Sequence, residues 1–223
     1  PAYLLPLVPI FFAQDLSGNR DNSAMQFDFA YASKWGAKIW SALLIDDLNS
    51  LTDFAGDGKL NRWALLCGGQ VLSPWRGLDA DLTLEFSMVR PWTFTGGREE
   101  GYTFAHYGLP MGTELGPDSR TFHARLAWRP VSQSEIGGQF AMLQKGVGRQ
   151  ATLGIVQDHG AQDPATAKLF ANGRSTRLKM GMDGSWSWKS MFKFTASASH
   201  VQQTRGAEEN SWIEGSANWV LDW

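Results

Sequence analysis

Apolar and polar residues alternate with a period of two along much of this chain of 223 residues. In residues 82–88 every second position is Leu, Phe or Met, and Thr, Glu and Ser lie between them. Residues 213–219 repeat the pattern, with Ile, Gly, Ala and Trp alternating with Glu, Ser and Asn. Because successive side chains of a strand point to opposite faces, this alternation predicts strands with one apolar and one polar face.

The alternation predicts about ten strands, most of them about ten residues long, and only weak helical character. That length suits a tilted strand that crosses a membrane. One short helix is possible at Asp163–Ala171. The predicted strands are residues 5–14, 23–33, 36–46, 61–72, 78–90, 120–129, 134–145, 174–186, 188–203 and 209–223.

Short and long connections alternate between the predicted strands. Short turns are expected near residues 34–35, 73–77, 130–133 and 187, and long connections at 16–22, 47–60, 91–119 and 146–173. An antiparallel meander with short turns at one end and long loops at the other is the plan of an outer-membrane barrel. We therefore predict an all-β fold, an antiparallel transmembrane β-barrel, in which residues 1–223 form a single domain.

Periodicity alone leaves the orientation of the two faces open. In a soluble β-sandwich or a lipocalin-like barrel the apolar face would point inward. In a membrane barrel the apolar face meets lipid and the polar face lines a wet interior. The membrane interpretation is favoured by Trp residues near the predicted strand ends, where such barrels carry aromatic girdles. They are Trp128, Trp186, Trp188, Trp219 and Trp223.

The composition fits a β-rich chain and excludes several classes of protein. Charged residues make up 19% of the chain, 11 residues are Trp, and the formal net charge is −2. A nearly neutral chain has no global field that would attract nucleic acid. The single Cys67 excludes an internal disulfide and a thiolate zinc site, and no cofactor or metal is expected. No apolar run is long enough for a transmembrane helix.

The first residues allow two interpretations. The segment Ala2–Ala13 is similar to the apolar core of a signal peptide, but it lacks a basic n-region and contains Pro6 and Pro9. A first strand over residues 5–14 is the favoured interpretation.

A more specific likeness lies in residues 84–118. Val-Arg-Pro-Trp-Thr ends a predicted strand at residues 89–93, and Tyr-Thr, His-Tyr and Leu-Gly-Pro-Asp follow at 102–103, 106–107 and 115–118. The stretch resembles the capsule-assembly outer-membrane proteins of the Wzi type. The matching loop positions include Arg90, Pro91, Thr93, Pro110, Gly112, Leu115, Gly116, Pro117 and Asp118.

The resemblance implies a non-enzymatic, lectin-like role in the bacterial outer membrane, namely the attachment or organisation of capsular polysaccharide. Because members of this family form larger barrels, it also implies that the chain is the C-terminal part of a barrel with further strands before Pro1. The expected partners are outer-membrane lipid, surface polysaccharide and other envelope proteins, with no nucleic acid.

The loop that carries the likeness also holds candidates for glycan binding. Sugars stack on aromatic rings and hydrogen-bond to the polar groups beside them. The candidates are Trp92, Arg98, Tyr102, His106 and Tyr107. In the alternative interpretation the loop folds back to plug the barrel, and a plug and a glycan site can coexist.

Charged residues on the polar face of the predicted strands form a second group, which we expect to line the lumen. They are Asp81, Glu85, Arg125, Arg177, Lys179, Lys193 and Glu214. Mixed charges in a barrel usually pair across strands and hold its shape. An ion- or solute-selective channel is the alternative role.

No enzyme activity is expected, because the chain contains no G-x-S-x-G elbow and no glycine-rich loop followed by a phosphate-binding Lys. Two alternatives to polysaccharide organisation stay open. The first is a structural subunit of a larger envelope assembly, and the second is a passive outer-membrane pore.

Overall fold

A computed structural model describes residues 24–47, 54, 56–58, 61–75, 77–94, 105–106, 109–110, 116–148, 151, 167–188 and 192–221. The strands in these ranges are β1 (Met25–Ala32), β2 (Ala37–Asp47), β3 (Arg62–Leu72), β4 (Ala80–Val89), β5 (Ala105–His106), β6 (Leu109–Pro110), β7 (Ser119–Trp128), β8 (Ser134–Gly146), β9 (Arg174–Trp188), β10 (Phe192–Arg205) and β11 (Glu208–Leu221).

Nine of the described strands form one open antiparallel sheet with the order β1-β2-β3-β4-β7-β8-β9-β10-β11. Each strand thus pairs with the next long strand along the chain, as in a meander. Strands β5 and β6 form a separate two-stranded ladder. The all-β, antiparallel prediction is confirmed. We call one end of the sheet the short-turn end, which is where β1, β3, β7, β9 and β11 finish. The opposite end is the long-loop end.

Each of the nine sheet strands corresponds to a strand that the alternation predicts. The tenth, at residues 5–14, lies outside the described residues. The short helix suggested at Asp163–Ala171 is wrong in its described part, because residues 167–168 have no regular structure and residues 169–171 belong to a turn. Within the described ranges no helix has the length and apolar character needed to span a lipid bilayer.

The register brings the apolar residues of the separate strands onto one face of the sheet. Phe27 faces Leu43, Leu43 faces Leu65, and Leu65 faces Met88 along one row. The same parity continues through β7 to β11, so that all nine strands contribute their apolar positions to this apolar face. The opposite, polar face carries the charged positions.

The apolar face is exposed. Phe27, Met182 and Ile213, which lie on three different strands, have exposed fractions of 58%, 64% and 79%. No described strand packs face to face against the sheet, and the long strands contact their neighbours in the sheet order. A single sheet with an uncovered apolar face is unusual for a soluble domain, which would bury that face under a second layer.

Two rows of residues border the apolar face, an aromatic row across β9 to β11 and a polar row across β7 to β11. At the short-turn end, Trp186 faces Phe194 and Phe194 faces Trp219, and all three side chains are exposed. At the long-loop end the facing residues are polar. Their row runs through Arg120, Gln144, Thr176, Thr204 and Glu209. The apolar positions therefore form a band with an aromatic border and a polar border.

Candidate functional site

Among the described residues, the largest group of buried residues lies at the long-loop end of the sheet, where β4 leaves it and β7 enters it. We call this group the buried loop cluster. Its members are Trp63, Arg90, Pro91, Trp92, Thr93, Phe94, Gly116, Pro117, Asp118 and Ser119. It contains most of the described positions that match the Wzi-type loop, so these residues serve to fold the loop ends onto the sheet.

Arg90 holds the start of the long loop through both its side chain and its backbone. Its Nη2 donates a hydrogen bond of 2.7 Å to the carbonyl oxygen of Gly56, and its guanidinium carbon lies 5.9 Å from the ring centroid of Trp63. The Arg90 carbonyl accepts hydrogen bonds from the amides of Thr93 and Asp118. The two ends of the loop are thus joined at one residue.

Trp92 packs inside the cluster and is 1% exposed, in contact with Ala167. Its φ of 65° places a bulky residue in the left-handed region, which the surrounding packing has to stabilise. A sugar has no access to a ring buried to this degree. The interpretation of Trp92 as a sugar-stacking residue is therefore wrong, and the ring instead packs the loop against residue 167.

Thr93 and Phe94 extend the same tight turn. The Thr93 hydroxyl donates to the carbonyl oxygen of Trp63 at 3.4 Å, and the Phe94 amide donates to Oδ2 of the buried Asp46 at 2.9 Å. Phe94 also has a positive φ, of 67°. These bonds connect the loop to the ends of β2 and β3.

Asp118 joins the other long connections to the cluster. Its side chain is fully buried, and its Oδ1 accepts a hydrogen bond of 2.8 Å from the Phe170 amide. Its carbonyl oxygen accepts from the Gly146 amide at 2.7 Å. A Cβ on Gly146 would lie 1.7 Å from Asp118 Oδ2, so only glycine fits there. Lys145 Nζ adds a bond of 2.7 Å to the carbonyl oxygen of Pro117.

The remaining loop candidates lie at the margin of the described chain. Residues His106 and Pro110 belong to β5 and β6, whose backbone alone is described. The other loop positions named from the sequence lie outside the described residues. They are Arg98, Tyr102, Tyr107, Gly112 and Leu115.

All seven charged residues expected to line a lumen lie on the polar face. Arg125 donates from Nη2 to Asp183 at 2.6 Å and to Glu135 at 3.1 Å. Asp183 is on β9, two strands away, and the intervening position on β8 is Gly137. A Cβ on Gly137 would lie 2.6 Å from Asp183 Oδ1, so the ion pair occupies the space that a side chain would need.

Glu214 forms the centre of a second group of charges across β9 to β11. Its carboxylate accepts from Lys179 at 2.8 Å, from Arg177 at 3.1 Å and from the indole Nε1 of Trp212 at 2.9 Å. Trp212 also lies beside the Arg177 guanidinium, 5.4 Å from ring centroid to Cζ. The contacts pass over β10, where Val201 is fully buried.

The three remaining charges expected to line a lumen, Glu85, Asp81 and Lys193, differ in their partners. Glu85 accepts a hydrogen bond of 3.2 Å from Trp40 Nε1, over Gly68 of the intervening strand. Asp81 pairs with Arg129 at 2.8 Å, and hydrogen bonds to Asp79 and Asp81 raise the pKa of the Arg129 guanidinium above its usual range. Lys193 is exposed at the short-turn end of the polar face.

At three places on the polar face these contacts join strands that are two apart, and each passes over a small or buried residue. Side chains on such strands start about 9.5 Å apart, so they meet only when they lean toward each other over the strand between them. Pairing of this kind fixes the shape of a polar surface and leaves most of its charges neutralised. It is an arrangement suited to holding a hydrated wall rigid.

Sequence reasoning missed several partners on the polar face. Trp40, Glu135, Asp183 and Trp212 complete the ion pairs and hydrogen bonds of the predicted charges. The sequence contains one signal for these partners, because each lies at an alternating position whose side chain points to the polar face. Among the described residues, no group of three or more His, Cys, Asp or Glu could hold a metal ion.

Comparisons of the chain with protein-family models, with curated proteins and with solved structures found no match.

Proposed function

We propose that this chain forms part of the wall of a β-barrel in the bacterial outer membrane, and that it attaches or organises surface polysaccharide without enzymatic activity. The apolar face contacts lipid, and the polar face lines a hydrated interior. The long-loop end faces the cell exterior, as the long loops of outer-membrane barrels do.

The observation that carries the proposal is the exposed apolar face shared by all nine sheet strands. An apolar surface of this extent in water would cause aggregation, whereas hydrocarbon solvates it. Many polar residues are either buried at the loop ends or paired on the other face of the sheet. The distribution is that of a sheet with lipid on one side and water on the other.

The dimensions of the apolar band agree with this placement. On β9 the apolar positions run from Leu178 to Trp186. At roughly 3.3 Å per residue this stretch is about 26 Å long along the strand, and at the ~35–45° tilt of strands in outer-membrane barrels it spans about 20 Å of the ~25 Å lipid-facing band. The exposed Trp186, Phe194 and Trp219 at the border match the aromatic girdle that lies at the interface.

The polysaccharide role is supported by the resemblance of residues 84–118 to Wzi-type proteins and by the way the loop is fixed. Arg90 and Asp118 hold the loop ends in a buried, hydrogen-bonded cluster, so the residues between them start from a fixed platform. A loop held at both ends loses less conformational entropy on binding a polymer than a free one does.

Two measurements test the two parts of the proposal. For the barrel, the purified protein should fold only with detergent or lipid, and unboiled samples should migrate differently from boiled ones on a gel. A protein that stays monomeric and folded in plain buffer would contradict it. For the polysaccharide role, deletion of the gene in its host should release surface polysaccharide into the medium, and complementation should restore the attached fraction. Unchanged attachment after deletion would contradict that role.

A passive pore is the second candidate, favoured by the charged polar face. It predicts single-channel conductance in planar bilayers. In a pore, reversal of the Arg125 and Asp183 charges would change ion selectivity. A sealed bilayer containing correctly folded protein would exclude it.

A further inference from the structure

A cavity of about 430 Å³ opens on the polar face at the long-loop end, between β8, β9 and β10. Its floor consists of two neighbouring rows of the sheet. One row contains Leu143, Arg177 and Gln203, and the other contains Lys145, Ser175 and Arg205. Residues 146–148 and Ala151 close it from the loop side. The volume falls within the ~300–1,000 Å³ range of small-molecule sites.

The lining of this cavity is cationic. Lys145, Arg177 and Arg205 contribute three positive side chains, and none of the described residues that line it is acidic. Carboxylates lie just outside the lining: Glu214 binds Arg177 at 3.1 Å, Glu208 faces Arg205 in the ladder, and the buried Asp118 interacts with Lys145. The described charges of the lining itself are all positive, and a concave surface concentrates the field of the charges that line it.

The geometry of Arg177 adds a second element of recognition. Glu214 and the ring of Trp212 hold its guanidinium in place, and the ring is part of the same polar face. A fixed guanidinium binds planar oxyanions such as carboxylate and phosphate with little further loss of entropy. Trp212 is 37% exposed, so its ring offers an apolar surface beside the charged site.

We propose that this cavity binds the carboxylate or phosphate group of an anionic saccharide. The inference rests on the proposed polysaccharide role and specifies the chemistry of the polymer: acidic sugars or phosphorylated sugars. Neutral sugars do not need three cations. An anionic unit seated here would contact Lys145, Arg177 and Arg205 together.

The test is a calorimetric titration of the folded protein in detergent with glucuronate, with glucose and with inorganic phosphate. Glucuronate or phosphate should bind and glucose should not. Arg205→Gln should weaken that binding about tenfold or more, because it removes one charge-assisted contact. Lys193→Gln is the matched control, since it removes an equal charge from the other end of the same strand and face, and should leave binding unchanged.

A second variant keeps the test decisive if Arg205→Gln fails to fold. Ser175→Glu places a carboxylate between Lys145 and Arg205 in the ladder, and should abolish binding by neutralising them. Binding of phosphate alone would assign the site to phosphorylated sugars, and binding of glucuronate alone to acidic sugars. Equal, weak responses to all three probes, or binding that neither variant changes, would overturn the inference.

The same variants separate this inference from the polysaccharide role. If gene deletion releases polysaccharide but cells carrying Arg205→Gln and Ser175→Glu retain it fully, the cavity is not the binding site and the role stands. If the purified protein binds glucuronate through Arg205 but gene deletion leaves attachment unchanged, the cavity is confirmed and the role is wrong.

Discussion

Arg125 on β7 forms an ion pair of 2.6 Å with Asp183 on β9, over Gly137 of β8, which has no side chain. The pair therefore depends on a third residue that takes no part in its chemistry. The same relation recurs where Trp40 reaches Glu85 over Gly68. On the polar face, glycines thus determine which charges can meet.

Gly137→Ala should destabilise the protein. A Cβ there would lie 2.6 Å from Asp183 Oδ1 and 2.8 Å from Arg125 Nη2, so the ion pair has to move. We expect a loss of about 1–3 kcal/mol in the free energy of unfolding, measured by urea titration in lipid vesicles. Gly138→Ala is the matched control, because nothing lies within 4 Å of its added Cβ. Equal stability of the two variants would contradict the role assigned to Gly137.

A charge placed in the centre of the apolar band should oppose insertion into lipid, while the same charge at the edge of the band, beside its polar border, should oppose insertion much less. Met182→Arg puts a guanidinium on an exposed apolar position and should cost about 2–4 kcal/mol of folding free energy in vesicles. Gln202→Arg changes a residue on the same face, beside the polar row, and should cost about 0–1 kcal/mol. If Gln202→Arg costs as much folding free energy as Met182→Arg, the position assigned to the apolar band is wrong.

Loss of the Asp118 carboxylate should release the connections at the long-loop end. Asp118→Ala leaves the Phe170 amide without its 2.8 Å acceptor, at a cost of about 1–3 kcal/mol. Limited proteolysis should then cut near residues 116–118 and 170 faster than in the unmodified protein. Asp79→Ala removes a carboxylate that is 61% exposed, at the opposite end of the sheet, and serves as the control. If proteolysis of the Asp118→Ala variant is unchanged, the buried loop cluster is not the feature that fixes the loops.

The strands were predictable from the sequence because alternation is a local property. The predicted segment 78–90 contains β4 at Ala80–Val89, and 134–145 nearly coincides with β8 at Ser134–Gly146. The order of the sheet followed from short connections between antiparallel neighbours. The ladder of β5 and β6 was missed, because two-residue strands are too short to show any periodicity.

The environment of single side chains was less predictable, because it depends on residues far along the chain. From the sequence, Trp92 could be a sugar-stacking ring or a packing ring, and its contact with Ala167, 75 residues further along the chain, is not visible in any local pattern. The partner of Arg125 is Asp183, and their approach requires a register that keeps Gly137 between them. Period-two patterns assign a face to each residue, but they do not assign its neighbours on strands two apart.

The central claim is that the apolar face of the sheet contacts lipid and the polar face contacts water. Spin labels attached one at a time to cysteines at residues 178–186 of β9, in a Cys67→Ala background, test it most directly. In vesicles, labels at Leu178, Met180 and Met182 should collide with oxygen dissolved in lipid, and labels at Lys179, Gly181 and Asp183 with a water-soluble nickel complex. That alternation with a period of two is the predicted result. Protection of the apolar positions from both reagents would show that they are buried in protein and would contradict the account.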